Sequence, residues 1–184
     1  MTIRNPMRRD VFRLAASAAL AAGAASQVQA QTAPVPPVQP VRCPLLPQQN
    51  ATRMVLDLSG LWDFQLDPDG IGEAKGWVAG LPAPRLIAVP GSWNEQFQDT
   101  RDYTGAAWYQ TSVRLNRAWQ GQRIILRVGS AVYRARVWVD GNLVGEHLGG
   151  HLPFAFEITA LAAWDRAMIV TILVENVALP KRVP

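Results

Sequence analysis

The stretch RIILRVGSAVYRARVWVDGNLVGEHLGGHLPFAFEI, Arg123 to Ile158, decides the fold. Side chains alternate between the two faces of a strand. Ala131, Tyr133, Ala135, Val137 and Val139 therefore share one face, and Arg134, Arg136 and Trp138 take the other. Asp140-Gly141-Asn142 supplies residues that tolerate the positive φ of a tight hairpin, and Leu143 to His147 returns as the partner strand. Just upstream, Ile124, Leu126 and Val128 oppose Arg123, Ile125 and Arg127; just downstream, Phe154, Phe156 and Ile158 alternate with Ala155 and Glu157. Period two governs the whole stretch, so it reads as short antiparallel strands in succession.

The pattern continues outward. Met54 to Leu58 is a candidate first strand, and Leu61 to Leu66 a second with Trp62, Phe64 and Leu66 on one face. Asp67-Pro68-Asp69-Gly70 is a turn, with Asp67 and Asp69 as turn formers. Gly72 to Leu81 is irregular around Trp77. Arg85 to Val89 is a strand that Pro90-Gly91 ends, and Trp108 to Leu115 turns Tyr109, Val113 and Leu115 inward. Ile169 to Val174 is apolar on both faces, as suits a central strand covered on both sides. Ala160 to Arg166 has room for one helical turn. Strands at this spacing, punctuated by Gly, Pro and Asp, predict an all-β fold over residues 52–184: a jelly-roll, galactose-binding-like β-sandwich of antiparallel strands.

The first 30 residues are of another kind. An Arg-rich start, an Ala-rich apolar middle (Leu14 to Ala25) and a small-residue exit at Val28-Gln29-Ala30 have the build of a secretory signal peptide. The apolar run is too short for the roughly 20 residues that cross a bilayer, so no membrane association is expected once the signal is removed. Arg8-Arg9 followed by Asp10-Val11-Phe12-Arg13 fits the twin-arginine type, the alternative being an ordinary secretory signal with two adjacent arginines. Either route predicts export to the periplasm or beyond. Residues 31–51 hold Pro34, Pro36, Pro37, Pro40, Pro44 and Pro47 and read as a Pro-rich linker, a mobile spacer with order beginning near Thr52.

The leader also dominates the charge. Of the formal net charge of +4, Arg4, Arg8, Arg9 and Arg13 against Asp10 supply three, leaving the rest at +1 with no basic cluster. That argues against nucleic acid as a partner. With a single cysteine, Cys43, no intrachain disulfide can form. The fold must rest on its hydrophobic core.

Several phrases in order resemble the N-terminal sugar-binding domain of family 2 glycoside hydrolases. They are Leu58-Ser59-Gly60-Leu61-Trp62-Asp63-Phe64, Val89-Pro90-Gly91-Ser92-Trp93-Asn94 and Tyr103-Thr104-Gly105-Ala106-Ala107-Trp108-Tyr109. Val137-Trp138-Val139-Asp140-Gly141-Asn142 follows, with Glu146-His147, Gly149-Gly150 and Pro153-Phe154. Within the family, Ile87 to Ser92 and Trp119 to Ile124 are most similar to β-glucuronidases; β-galactosidases and β-mannosidases stay open as alternatives. The resemblance runs from about Leu56 to Val177. It implies that an immunoglobulin-like sandwich and a (β/α)₈ barrel follow this domain, the barrel carrying the two catalytic glutamates of a retaining mechanism. The sequence ends at Pro184, so the expectation is a fragment whose partners are the downstream domains of the same polypeptide, further copies of the chain, and a carbohydrate, a β-glucuronide or related β-glycoside. The rival from another class is a free-standing carbohydrate-binding module.

No residues of the chain are assigned to catalysis, to a metal or to a cofactor. Glu146 and Glu157 read as isolated, solvated positions, and Ser92 lacks the G-x-S-x-G context of a nucleophile. His147 and His151 bracket Leu148-Gly149-Gly150 without a third ligand at metal spacing; the resemblance implies a structural hydrogen bond for His147. Sugars stack their C–H faces on aromatic rings and offer hydroxyls to polar side chains, which makes Trp93, Asn94, Asp102, Tyr103 and His151 the candidate carbohydrate contacts. Trp62, Trp108 and Trp138 read instead as filling the inter-sheet core or a seam against following domains.

Overall fold

The computed structural model describes residues 41–177 except 44 and 46. The leader and most of the 31–51 segment lie outside the described residues. The hairpin forms as its sequence requires. Asp140 (φ 48°) and Gly141 (φ 77°) both adopt left-handed backbone, the conformation a two-residue hairpin loop needs. The loop joins β5 (Arg134–Val139) to β6 (Asn142–Leu148). The Asp140 carboxylate accepts from the Ile169 N–H and from Arg166 Nη2, each at 2.8 Å, which locks the loop onto its neighbour. The register slips between Val137 and Trp138, which face Gly145 and Leu143. Val144 is the extra residue of the resulting bulge, and it turns into the core.

Around this hairpin the chain builds a six-stranded antiparallel sheet. The remaining strands are β1 (Gly60–Asp67), β2 (Arg85–Val89), β3 (Ala106–Val113) and β8 (Met168–Glu175), in the order β2-β1-β3-β8-β5-β6. A second layer pairs β4 (Ile125–Val128) with β7 (Phe154–Glu157), also antiparallel. Trp62, Phe64, Tyr109, Val137 and Val170 from the large sheet meet Leu126, Phe154 and Phe156 from the small one in a single core. This is the expected antiparallel sandwich. A Cβ at Gly145 would overlap the Phe156 ring, so the two layers close here only over glycine. The only regular helix among the described residues is the four-residue α1 (Trp93–Gln96). Single 3₁₀ turns occur at Gln98–Thr100, Arg117–Trp119 and Thr159–Leu161, the last where one helical turn was expected.

Four expectations need correction. Met54 to Leu58 is not a strand: no strand among the described residues pairs with it, and Met54, Val55 and Leu56 are exposed. Leu58 instead accepts a hydrogen bond from Trp62 Nε1 at 2.8 Å, and Ser59 N–H is held by Asp57, so this segment leads into β1 as a turn. Strand β5 begins at Arg134 rather than Ala131, although Tyr133 N–H still donates to Glu175. Trp108 and Trp138 do not fill the space between the sheets. They stack on the outer face of the large sheet (centroids 5.3 Å apart), where Trp77 from the 72–81 segment covers them with Leu173. Contacts also start well before Thr52, because Val41 N–H bonds to Ala155 of β7.

Central strand β8 shows why both its faces read as apolar. Val170, Ile172 and Val174 enter the inter-sheet core while Leu173 faces the tryptophan cluster. Thr171 is the polar exception. It is fully buried, receives Gln110 Nε2 at 2.8 Å and donates to the Val78 carbonyl at 3.1 Å, which ties the covering segment to the sheet.

Candidate functional site

Four of the five candidate contacts, Trp93, Asn94, Asp102 and Tyr103, lie on the connection between β2 and β3. Ser92 caps α1 by accepting from Asn94 N–H at 3.2 Å. The Asn94 side-chain amide then donates to the carbonyls of Thr100 (2.7 Å), Arg101 (2.9 Å) and Tyr103 (3.1 Å). Thr100, wholly buried, returns its hydroxyl to the Trp93 carbonyl at 2.6 Å. Tyr103 lays its ring against Trp93 (6.4 Å) and donates its hydroxyl to the Ala106 carbonyl at 2.8 Å. Burial, helped by the nearby Asp67 carboxylate, pushes the Tyr103 hydroxyl up from its ordinary pKa. Arg85 lies 3.9 Å from the Phe97 ring centroid and pairs with Asp99 at 2.8 Å.

Two further residues fasten this loop to the sheet. The Gln96 amide mimics a neighbouring strand: its Oε1 accepts from Ala88 N–H and its Nε2 donates to Ala88 C=O, both at 2.8 Å. It thereby satisfies part of the open edge of β2. Asn176, just past β8, accepts from Gly105 N–H at 2.7 Å and returns its own N–H to the Gly105 carbonyl at 3.1 Å.

The structure thus brings Trp93, Asn94 and Tyr103 together and uses their polar atoms to hold the loop. Trp93 is only 5% exposed and belongs to the core. Asp102 stands in solvent beside Tyr103, and exposed Arg101 and Thr104 flank the pair. His151 is exposed on a separate connection, between β6 and β7. The arrangement can offer a stiff rim of exposed polar side chains above a buried aromatic base.

Sequence reasoning missed a further node. Asp67, read as a turn former, is 3% exposed. One carboxylate oxygen accepts from Ile71 N–H (2.8 Å); the other accepts from Gly72 N–H (2.9 Å) and Trp108 Nε1 (2.9 Å). The turn is real, with Gly70 N–H bonded to the Asp67 carbonyl, but the side chain organises the cover of the tryptophan cluster. A turn signature alone cannot reveal a partner 41 positions away.

Six other carboxylates, those of Glu73, Asp99, Asp140, Glu146, Glu157 and Glu175, are engaged with arginines. Arg134 bridges Glu146 (2.8 Å) and Glu175 (3.1 Å), Arg123 holds Glu157 (2.7 Å), and Arg136 holds Glu73 (2.5 Å). Glu146 and Glu157 are therefore paired rather than isolated. Hydrogen bonds from Arg123 and Thr159 hold the Glu157 carboxyl below its ordinary value. For Asp140, burial acts upward, but Arg166 and the Ile169 N–H outweigh it and the carboxyl ends low. Beside that pair lies a shallow cleft of about 240 Å³ lined by Val78, Ala79, Asp140, Gly141, Arg166 and Ile169. Among the described residues no cluster of three His, Cys, Asp or Glu could hold a metal ion, and no helix is long and apolar enough to cross a membrane.

His147 corrects another expectation. Its ring stacks on Phe154 (4.2 Å, 14°), but Nε2 is buried without a hydrogen-bond partner among the described residues. Burial pulls its pKa below the ordinary value. The unfolded chain therefore binds the proton more readily than the folded one. The stability this group contributes is whole above the unfolded pKa of about 6.5 and is lost as pH falls through the folded value. His147→Phe keeps an aromatic ring on Phe154 and removes the proton site. In urea melts taken from about pH 7.5 down to about pH 5, the variant is expected to lose less stability than the parent; equal losses would exclude His147 as the titrating group.

Comparison with known proteins places this geometry. A family model described as "Glycosyl hydrolases family 2, sugar binding domain" matches residues 55–178. A β-glucuronidase of Paenibacillus borealis is 41% identical over 140 residues, covering 72% of this chain and 23% of that protein. The β-glucuronidase of Canis lupus familiaris is 37% identical over 154 residues, covering 76% and 24%. Among solved structures, a Ruminococcus gnavus β-glucuronidase superposes with a TM-score of 0.69 at 40% identity, over 71% of this chain and 22% of that one. A β-glucuronidase from Ruminococcus gnavus in complex with D-glucuronic acid matches with a TM-score of 0.68 at 38% identity, over 71% of this chain and 23% of that one. The chain spans about a quarter of the length of the relatives it matches.

Proposed function

We propose, from the premise that this chain belongs to family 2 of the glycosyl hydrolases and forms their sugar-binding domain, that it is the N-terminal scaffold of an exported, β-glucuronidase-like enzyme. The observation that carries the reading is that likeness in sequence and in shape runs through the whole sandwich toward enzymes of one activity. The parent reaction is hydrolysis of a terminal β-glucuronide with retention, which needs two carboxyl groups about 5–5.5 Å apart. We assign both to segments outside this domain. Supporting that, Asp99, Glu73, Glu146, Glu157 and Asp140 each hold an arginine here, and Asp67 holds two backbone amides and an indole.

The domain's role is to present the 90–105 loop, with Asp102 at its rim and Trp93, Asn94 and Tyr103 as its footing, toward the carbohydrate or toward neighbouring domains and copies. His151, on its own connection, belongs to the same proposed set of carbohydrate contacts. Export rests on the leader's composition and on Arg8-Arg9, with a periplasmic or extracellular destination.

The test has two arms. The 184-residue chain is expected to release no aglycone from a chromogenic β-glucuronide, whereas a chimera in which it replaces the matching domain of the Ruminococcus gnavus enzyme hydrolyses it. Turnover by the chain alone would refute the placing of the chemistry elsewhere. For export, a reporter fused behind residues 1–40 is expected to reach the periplasm and to stay in the cytoplasm when Arg8 and Arg9 are both changed to Lys. Undiminished export of that variant would discard the twin-arginine route.

A further inference from the structure

The small second layer is the weak point of the sandwich. Strands β4 and β7 have four residues each, and a two-stranded sheet with open edges is marginal on its own. Hydrogen-bond parity shows where those edges point. Ile158 N–H donates to the Ile124 carbonyl at 2.8 Å. In an antiparallel ladder bonded and non-bonded pairs alternate, so Phe156 with Leu126 and Phe154 with Val128 are bonded pairs as well. Ala155 and Arg127, the cross-strand pair between them, therefore direct their backbone groups outward, to the two outer edges.

The outward Ala155 carbonyl is not left free. It accepts from Val41 N–H at 3.0 Å. Across the layer, the Arg127 side chain donates through Nη2 to the Leu45 carbonyl at 2.6 Å. Alternation puts the Ala155 methyl on the outer face, opposite Phe154 and Phe156, yet Ala155 is only 2% exposed. An alanine on the outside of a two-stranded layer stays dry only under a cover, and the segment bonded to its carbonyl is the cover we assign.

We propose that Val41, Arg42, Cys43 and Leu45 belong to a clasp: a short strap that closes the open edge of β7 at Val41 and is pinned at its Leu45 end by Arg127. The domain then reaches upstream at least to Val41, ahead of the residues matched by the family model. The Val41 N–H makes an edge contact, and the Arg127 guanidinium holds the Leu45 end.

Hydrogen exchange on the full chain tests the clasp without any variant. The Val41 amide is expected to exchange at least about tenfold more slowly than its unstructured rate, as a bonded edge amide does. Val41→Pro removes that donor and is expected to speed exchange across residues 154–157 several-fold, while Val41→Ala, which keeps the N–H, leaves those amides as protected as in the parent. Arg127→Ala frees the far end and is expected to raise exchange in the peptide holding residues 41–45. An unprotected Val41 amide in the parent chain overturns the proposal, and so does exchange in β7 that Val41→Pro leaves unchanged.

Discussion

Phe64→Ala is expected to lower the unfolding free energy by about 3–5 kcal/mol, read as a fall in the urea midpoint at unchanged slope. Phe64 is fully buried on the inner face of β1. Its ring meets Tyr109 edge-on at 5.1 Å, Phe97 at 5.8 Å and Trp93 at 6.1 Å, with the Arg85 guanidinium 5.5 Å from its centroid. Three of these partners sit on different segments: Tyr109 on β3, Trp93 on α1 and Phe97 just beyond it. Removing the ring opens a cavity and takes away the surface on which the 90–105 loop is seated. Against a total stability of about 5–15 kcal/mol for a domain of this size, the change is a large fraction. Leu61→Ala, three positions earlier on the same strand, is the control. Leu61 is 67% exposed, and surface changes of that kind stay within about 0.5 kcal/mol. Equal costs for the two substitutions would mean that the aromatic cluster is not what joins loop to sheet.

The part of this architecture that could be read from the sequence is the part set by local rules. Period-two alternation places Trp62, Phe64, Tyr109, Leu126, Phe154 and Phe156 toward one core because a strand has two faces and one of them must be buried. Asp140-Gly141 announces its hairpin because few residues accept positive φ. The same rules misread residues 54–58, which carry an apolar pattern but find no partner strand; a strand is defined by its neighbour, and the neighbour is not local. Trp108 and Trp138 fall on the outer face, and only the return of the 72–81 segment buries them, so their environment depends on a fold-back that turn residues signal without specifying. The candidate site was legible as a cluster and not as a division of labour. Trp93, Asn94 and Tyr103 lie within eleven positions of one another, but that Asn94 spends its amide on three carbonyls, and that Gln96 and Asn176 fasten the loop, follows from geometry that spacing does not encode. Proline content reads the 31–51 segment as a spacer, but such a backbone can also meet an open sheet edge, as Val41 does at Ala155.

The Asp67 node carries the second large effect. Asp67→Ala removes the acceptor for two buried donors, Gly72 N–H and Trp108 Nε1, and for the half-buried Ile71 N–H. Each buried donor left without a partner costs about 1–3 kcal/mol, so the substitution is expected to destabilise the chain by about 2–6 kcal/mol. Asp67→Asn keeps the shape but turns an NH₂ toward at least one of the same donors, so it should recover only part of the loss. There is no slack to absorb either change by sliding the loop, because a Cβ at Gly72 would already overlap Trp108 and Trp77. The assignment is separable from a general packing defect by a double-mutant cycle with Trp108→Phe, which deletes the indole donor and leaves an aromatic ring. In that background Asp67→Ala should cost less by about 1–3 kcal/mol, the coupling expected for groups in direct contact. A second reading of the same samples is tryptophan fluorescence. Trp77 packs edge-on against Trp108 at 6.2 Å, and a loosened 72–81 segment would shift its emission to the red before global unfolding. Additive costs in the cycle, with no early shift in emission, would reduce Asp67 to the turn former its sequence suggests and leave the cover of the outer tryptophans to packing alone.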